Sequence, residues 1–399
     1  MKCNVDCVNL RGAQRIASAA TTLRLVDQEL SVRVLRNVVA VPIVGYAGLY
    51  EKSGNAIASS YYVRNVNLVT NFSVDGHEGV RTIEEPVFFL GKFNVCWGHC
   101  ITDMLKFLWP FLELERYPAL KQCRIVYTTL SRTDQLPENY LAMLSGLGID
   151  ANRLVRVDQA TVLRTCYFAD ECFWAESGEE ENEHCYASEY GAIINAICKG
   201  CSSAAKSHAG RKIYLSRRSW NGWVKGEFGE QFIEDAFAAA GFDIVHPERL
   251  SFGEFVATMQ NADEVASMEC STSHNALFMR PGAKLILLRK YNRVNLYQMT
   301  INQVKSLDVD YVDVYGTLNW AFVNSNQRGE GPFFVYVTKM LANYLGCRPH
   351  FPIGEFCRYL GCAITMKIRR ILFEACYKTY KLVVVRWLGI RRWERGRVI

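Results

Sequence analysis

The sequence predicts an α/β protein in two halves, with a β-rich segment before them and a basic helical tail after. Three observations carry this. From Arg211 onward short apolar runs alternate with helical patterns at even spacing, the rhythm of a parallel sheet covered by helices. The residues before Glu85 are rich in Val, Tyr and Asn and broken by glycine turns, as short strands are. The chain of 399 residues is longer than one domain usually is, and with half its residues apolar and 22% charged it can fill two cores.

In the first half, Val32 to Val44 and Ser59 to Phe72 read as strands, with a turn at Ser53-Gly54-Asn55. Pro86 to Leu90 suits a buried strand, Gly98 to Glu115 a long helix, Cys123 to Thr128 a strand, and Leu136 to Leu147 a helix closed by glycine. An acidic loop at Glu179 to Glu183 precedes a helix to about Cys198. The small, polar stretch Gly200 to Gly210 reads as a linker, dividing the chain into residues 1–200, 201–350 and a tail 351–399. The second half then reads strand (Lys212–Leu215), helix (Gly226–Ala240, with Phe228, Phe232, Ala236 and Phe237 on one face), and strand (Phe242–Val245). A capping box at Ser251 and Glu254 opens the next helix. Asp263–Met268, Ser273–Met279 and Lys284–Leu288 follow as strand, short helix and strand. Ligands of such sheets bind beyond the C-terminal strand ends.

The net charge of +6 is uneven: Phe356 to Ile399 holds 11 Lys/Arg against two Glu, so the rest of the chain is slightly acidic. Tyr359, Phe373, Tyr377, Tyr380, Trp387 and Trp393 lie among Lys367, Arg369, Arg370, Lys378, Lys381, Arg386, Arg391 and Arg392. This is the composition of a helix lying on an anionic membrane surface, and equally of a basic helix packed on the body. Nothing accompanies the charge that would read nucleic acid. The 15 cysteines are odd in number and lie in apolar contexts, which fits reduced thiols rather than a disulfide framework. No run reaches the roughly 18 apolar residues of a membrane span, and Met1 to Leu25 lacks a signal-peptide core. The expected location is the cytoplasm, with the tail on the inner face of the plasma membrane.

Three clusters carry chemistry. In Asn94-Val-Cys-Trp-Gly98-His99-Cys-Ile-Thr-Asp103, His99 and Asp103 share a helical face at a strand-to-helix junction. The positive end of a helix favours the neutral imidazole that a general base needs, and Asp103 would orient the ring or hold a hydroxyl. Alone, the pair also suits a structural helix start. Arg217 and Arg218 follow a strand end, where guanidinium forks match phosphate oxygens, or form an ordinary solvated pair. The third, Glu269-Cys-Ser271-Thr272-Ser273-His274-Asn275, takes a strand through a small-residue loop into a short helix, whose first N–H groups would bind an anion while Glu269 holds a sugar or ribose hydroxyl. A plain capped core helix is the simpler reading. Asp308-Val-Asp310 lies in an alternating strand and the lone Cys198-Lys-Gly-Cys201 has no second pair, so neither is read as a metal site.

In order and context, these clusters resemble glycosyltransferase family 61, particularly bacterial members of capsule and exopolysaccharide loci. Asn94, Gly98, His99 and Asp103 match its first motif; Ser216, Arg217 and Arg218 its strand end. Gly241 to Phe252 match a further phrase, and His274, Asn275, Phe278, Pro281 and Gly282 the last. The similarity runs from about Glu85 to Gly346 and is densest from Arg211 to Arg289. It departs from the family at Glu269-Cys-Ser271 and at Asn221 to Glu227. The resemblance implies a GT-B fold, two Rossmann-like domains facing a cleft. It implies inversion at the anomeric carbon, no metal and no cofactor beyond a nucleotide-sugar, with UDP as carrier. Donor binding would fall to the second half (Arg217, Arg218, Glu269 and Ser271 to Asn275) and the acceptor glycan to the first (Asn94, Gly98), with His99 and Asp103 catalytic. A pyruvyl transferase on a similar scaffold and a non-enzymatic glycan-assembly protein are the alternatives.

Overall fold

The computed structural model describes residues 21–27, 29–42, 48–57, 80–93, 96–129, 136–177, 182–201, 210–219, 227–290, 295–316 and 331–380. Strand β1 (Thr21–Leu25) belongs to a small sheet with two later strands. The main sheet of the first half holds β2 (Val32–Val41), β3 (Gly48–Tyr50), β4 (Arg81–Ile83), β5 (Val87–Phe93), β6 (Arg124–Thr129), β7 (Leu154–Val157) and β8 (Thr161–Ala169). Its order is β3-β2-β8-β5-β6-β7, with β4 beside β8. β5 runs parallel to β6 on one side and to β8 on the other, so the strand order runs outward in both directions from β5. Val87, Phe88, Phe89 and Leu90 are all buried, as in a parallel strand covered on both faces. β9 (Phe173–Ser177) and β10 (Asn182–Tyr186) form an antiparallel pair that adds β1.

Several sequence expectations are corrected here. Residues 98–115 are not one helix. A short helical turn, α1 (Trp97–His99), passes into a π-turn (Cys100–Met104) and two 3-10 turns (Leu105–Phe107 and Trp109–Leu112). Pro110 has no N–H to continue a regular helix, and the Trp109 indole N–H is drawn to Asp170 O at 2.9 Å. The acidic stretch contains the start of β10, and β7 to β9 were not read from the sequence at all. The expected strand Ser59–Phe72 and most of the linker lie outside the described residues, as do Asn94 and residues 381–399.

Helices α2 (Glu138–Ser145) and α3 (Ser188–Cys201) close the first half. The second half has β11 (Lys212–Leu215), β12 (Glu227–Phe228), α4 (Glu230–Ala239), β13 (Asp243–Val245), α5 (Phe252–Asn261), β14 (Glu264–Met268), β15 (Lys284–Arg289), α6 (Leu296–Val304) and β16 (Asp308–Asp313). Five of these strands form an all-parallel sheet of order β13-β11-β14-β15-β16. Strand neighbours alternate between two cores. Ile213, Leu215, Val265, Leu285 and Leu287 face α5, while Tyr214, Ala266, Ile286 and Leu288 face α4. This is the doubly wound order 2-1-3-4-5, whose crevice lies between the ends of β11 and β14. The core on the α5 side is continuous with that of the first half, because α3 packs on α2, α5 and the Ser273–Phe278 turn.

Helix α4 starts later than its sequence pattern. Gly229 holds φ +93°, and a Cβ there would collide with Val335 O, so glycine ends the segment and β12 pairs instead with β17 (Phe333–Phe334). The buried face of α4 is Glu230, Ile233, Glu234 and Phe237, and Phe228 is not on it. The capping box forms as read, with Ser251 Oγ accepting from Glu254 N. After α7 (Lys339–Leu345), the last helix α8 (Ile353–Tyr380) docks on β12 and β17 through Tyr359 and Ala363. Beyond them it projects with Ile364, Ile368, Ile371, Leu372 and Phe373 exposed.

Candidate active site

The loop after β5 delivers α1 to the crevice where the first sheet reverses its order. His99 Nδ1 lies 2.9 Å from Asp103 Oδ2, and Asp103 is buried while His99 keeps about a quarter of its side chain exposed. With the Nδ1 proton held on the carboxylate, Nε2 carries the lone pair. Thr102 Oγ1 donates to Gly98 O at 2.9 Å and Tyr190 OH to Ile101 O at 2.9 Å, fixing the irregular turns from both sides.

The second sheet brings its own loop to the same place. Residues 269–272 form a turn leading into the 3-10 helix Ser273–Phe278. At Gly98 an added Cβ would lie 2.7 Å from Ser271 Oγ and 3.1 Å from His274 Nδ1. Trp97 Nε1 donates to Asn275 Oδ1 at 2.6 Å, and the Trp97 ring packs on Phe252 and Phe278. The first and third sequence clusters are therefore in direct contact, with the His99–Asp103 pair on one side and the β14 loop on the other.

The third cluster divides by role. Ser273 Oγ donates to Cys270 O at 2.7 Å and bonds Gln298, while Asn275 serves Trp97, so both act as struts. His274 Nε2 meets Asn295 Nδ2 at 3.3 Å. The backbone N–H groups expected to cradle an anion are partly spent, since those of Ser273 and Asn275 bond Cys270 O and Thr272 O. Ser271 and Thr272 are half-buried on the turn. Glu269 is the unusual member. It is 1% exposed, its Oε1 accepts from Asn295 N at 2.8 Å, and its Oε2 has no hydrogen-bond partner among the described residues. Burial raises its pKa to about 7. A carboxyl with one idle oxygen at a strand end is equipped to take a ligand hydroxyl.

The structure separates the arginine pair. The strand has ended by Ser216, and Arg217 turns to the crevice, where Nη1 donates to Glu227 Oε1 at 2.6 Å. Its pKa is raised, first by the Cys270 sulfur beside it and then, against burial, by Glu227 and Glu230. Arg218 turns away to α4, bonding Glu234 Oε2 at 2.5 Å and Gln231. Arg217 thus stands at the switch point between β11 and β14, and Arg218 does not.

Sequence reasoning missed the partners of these groups. Arg289 and Lys290 end β15. Lys290 Nζ shares Glu227 with Arg217, and Arg289 Nε pairs with Asp313 Oδ1 at 3.0 Å. A basic pair straight after the apolar run Leu285–Leu288 is the same signal that marked Arg217 and Arg218. Glu230 accepts from Arg217 N at 3.1 Å, and burial followed by repulsion from Glu227 raises its pKa to about 7. Glu227 moves the other way: burial works to raise its pKa, but Lys290 and Arg217 together lower it. The crevice thus concentrates a buried lysine and a half-buried arginine on a single ionised carboxylate. Asp310 instead pairs with Lys284 and Tyr344, and Cys198 and Cys201 lie in the last turn of α3 without a disulfide.

The crevice of the doubly wound sheet thus carries an arginine and a buried carboxyl at its switch point and a lysine one strand further on, and it faces the His99–Asp103 pair of the first sheet. The family model described as Glycosyltransferase 61 matches residues 97–286, the segment that holds both loops, and supports a glycosyltransferase of that family. No curated protein matches the chain. Among solved structures, the bacterial iron-containing dodecameric glycosyltransferase TibC from enterotoxigenic E. coli H10407 is similar over 58% of this chain and 68% of that one, with 11% identity and a TM-score of 0.25.

Proposed function

We propose that the chain is an inverting, metal-independent glycosyltransferase that moves a sugar from a nucleotide-sugar, UDP-linked, to a glycan of surface or capsular polysaccharide. The observation that carries this reading is the contact of Gly98 with Ser271 and His274. It brings the turn that carries His99, read as the general base, against the loop after β14, beside the crevice read as the diphosphate site. The two sheets are then the halves of a GT-B arrangement, divided after α3. The acceptor hydroxyl attacks the anomeric carbon as the bond from that carbon to the diphosphate oxygen breaks on the opposite face. His99 Nε2 takes the hydroxyl proton, and Asp103 holds the ring and steadies the imidazolium that forms. Arg217 and Lys290, already gathered by Glu227, receive the charge of the leaving diphosphate. Glu269 Oε2 holds a hydroxyl of the donor.

The protein works at the cytoplasmic face of the plasma membrane on a lipid-linked acceptor, held there by α8 and the residues after it.

Thermal-shift titration with nucleotides and nucleotide-sugars tests the donor half of this reading, since a ligand of the native state raises the melting temperature. A UDP-sugar shift is expected that Arg217→Ala abolishes and Arg218→Ala largely keeps. His99→Ala and Asp103→Asn should each lower turnover by about 10²–10⁴ with donor binding intact. Full turnover in both variants overturns the assignment of the base.

A further inference from the structure

One strand beyond the charged crevice, at the end of β16, lies an open cavity of ≈ 570 Å³ bordered by Asp313, Tyr315, Tyr336, Lys339, His350 and Phe351, among others. Its size is that of a small-molecule site, for which about 300–1,000 Å³ is usual. β14 and β16 are two strand spacings apart, ~10 Å, and Arg289 spans the interval. Its charge acts on Glu269, its Nε pairs with Asp313 at 3.0 Å, and its Nη2 donates to Tyr315 OH at 3.4 Å. The cavity therefore continues the same sheet edge as the candidate active site.

The walls have a definite chemistry. Tyr336 and Phe351 meet edge to face at 5.1 Å, and Tyr336 is backed by a stacked Phe334 at 5.5 Å, which holds the ring corner rigid. Phe351 is 44% exposed, so part of its ring is open at the cavity. Beside this corner stand a carboxylate, a tyrosine hydroxyl and the exposed imidazole of His350. Flat apolar faces next to hydroxyl acceptors match a pyranose, whose C–H face lies on a ring while its hydroxyls donate to carboxylate oxygen. Arg289 is already paired with Asp313, so among the named residues the charge offered to a phosphate is that of the exposed Lys339 alone. The cavity also adjoins the root of α8, where Phe351 packs on Phe356 at 5.3 Å.

We propose that the cavity is a saccharide-binding site that holds the non-reacting residues of the acceptor glycan. The assignment rests on the transferase reading for its role, and places acceptor contacts on the second half of the chain as well as the first. Binding here positions the growing chain so that its terminal hydroxyl reaches His99, and selects acceptors by the sugars behind the one that reacts.

Saturation-transfer NMR on the full chain, without nucleotide, tests it with linear tetrasaccharides of glucose, galactose, mannose and N-acetylglucosamine. At least one should receive saturation from the wild type. Phe351→Ala should weaken its binding about tenfold, and His350→Ala by a smaller factor, while the UDP-induced thermal shift stays at the wild-type value. Both side chains are exposed, and an unchanged melting temperature for each variant secures the comparison. The proposal is overturned if no tetrasaccharide binds the wild type, or if the one that does binds both variants equally well. Saccharide binding lost in Phe351→Ala without any nucleotide binding would keep the cavity and remove the transferase reading. Nucleotide binding without saccharide binding would do the reverse.

Discussion

Glu269 ends β14 with one oxygen bonded to Asn295 N and the other buried without a partner. Its pKa of about 7, raised by burial, means that the folded protein holds a proton which the unfolded chain releases near the ordinary value of 4.5. The sign of the linkage follows. The folded state binds more protons between these values, so the stability this carboxyl contributes is complete below pH 4.5 and is lost as the pH rises through 7. Glu269→Gln keeps the acceptor for Asn295 and cannot ionise. It should melt close to the wild type at pH 5 and a few degrees above it at pH 8, where the ionised wild type is disadvantaged by on the order of 2–3 kcal/mol. Glu230, raised similarly, remains in both proteins and cancels from the difference. A gap that stays constant between pH 5 and 8 would show that Glu269 is ionised throughout. The same variant should bind the donor more weakly, because an amide replaces the idle oxygen that takes a hydroxyl.

At the scale of elements, the site exists because α1 and the β14 loop touch, and Gly98 is the point of closest approach. An added methyl would stand 2.7 Å from Ser271 Oγ and 3.0 Å from its Cβ. Gly98→Ala should therefore cost about 1–3 kcal/mol in urea unfolding, the usual range for overpacking, and lower turnover as the two loops separate. Removing the obstacle in Gly98→Ala/Ser271→Gly should restore part of both, leaving only the contact with His274. A stable and active single variant would mean that the loops do not close as described. This contact shows where the sequence stops being informative. β11, β13, β14 and β15 were legible because short apolar runs between glycines and capping signals specify parallel strands locally, and the capping box at Ser251 is wholly local. β8 carries Arg164 and Thr165 in its middle, and it is a strand because β2, β4 and β5 pair with it, which no local pattern records. Within the site, the i,i+4 spacing revealed His99 with Asp103. The sequence could not show that Arg218 turns to Glu234 while Arg217 turns to Glu227, since that depends on where α4 begins, and Gly229 delays it.

At the scale of the whole molecule, α8 carries an apolar surface that the packing of the described residues does not cover. Along α8 the residues that dock, Phe356, Tyr359 and Ala363, lie on a different face from Ile364, Ile368, Ile371 and Leu372, which recur at i, i+4, i+7 and i+8 and form a separate exposed stripe. Lys367 and Lys378 border that stripe, and the 19 residues that follow Tyr380 add further cations. No helix among the described residues is long and apolar enough to cross a membrane, so this stripe would lie along a surface. Full burial of a Leu or Ile side chain is worth about 1.5–3 kcal/mol, and each cation near an anionic leaflet about 1 kcal/mol. Partial insertion of four such side chains with several cations is enough for firm but reversible attachment. The full chain should sediment with vesicles containing phosphatidylserine at low salt, and less at high salt as screening weakens the cationic share. Ile368→Asp/Leu372→Asp should release it at both salts without altering the nucleotide-induced thermal shift, because both residues are exposed and lie beyond Tyr359 and Ala363, through which α8 docks on β12 and β17. Vesicle binding that survives this double change, and also survives deletion from Ile364 onward, would assign the attachment to another surface and leave the stripe to a protein partner.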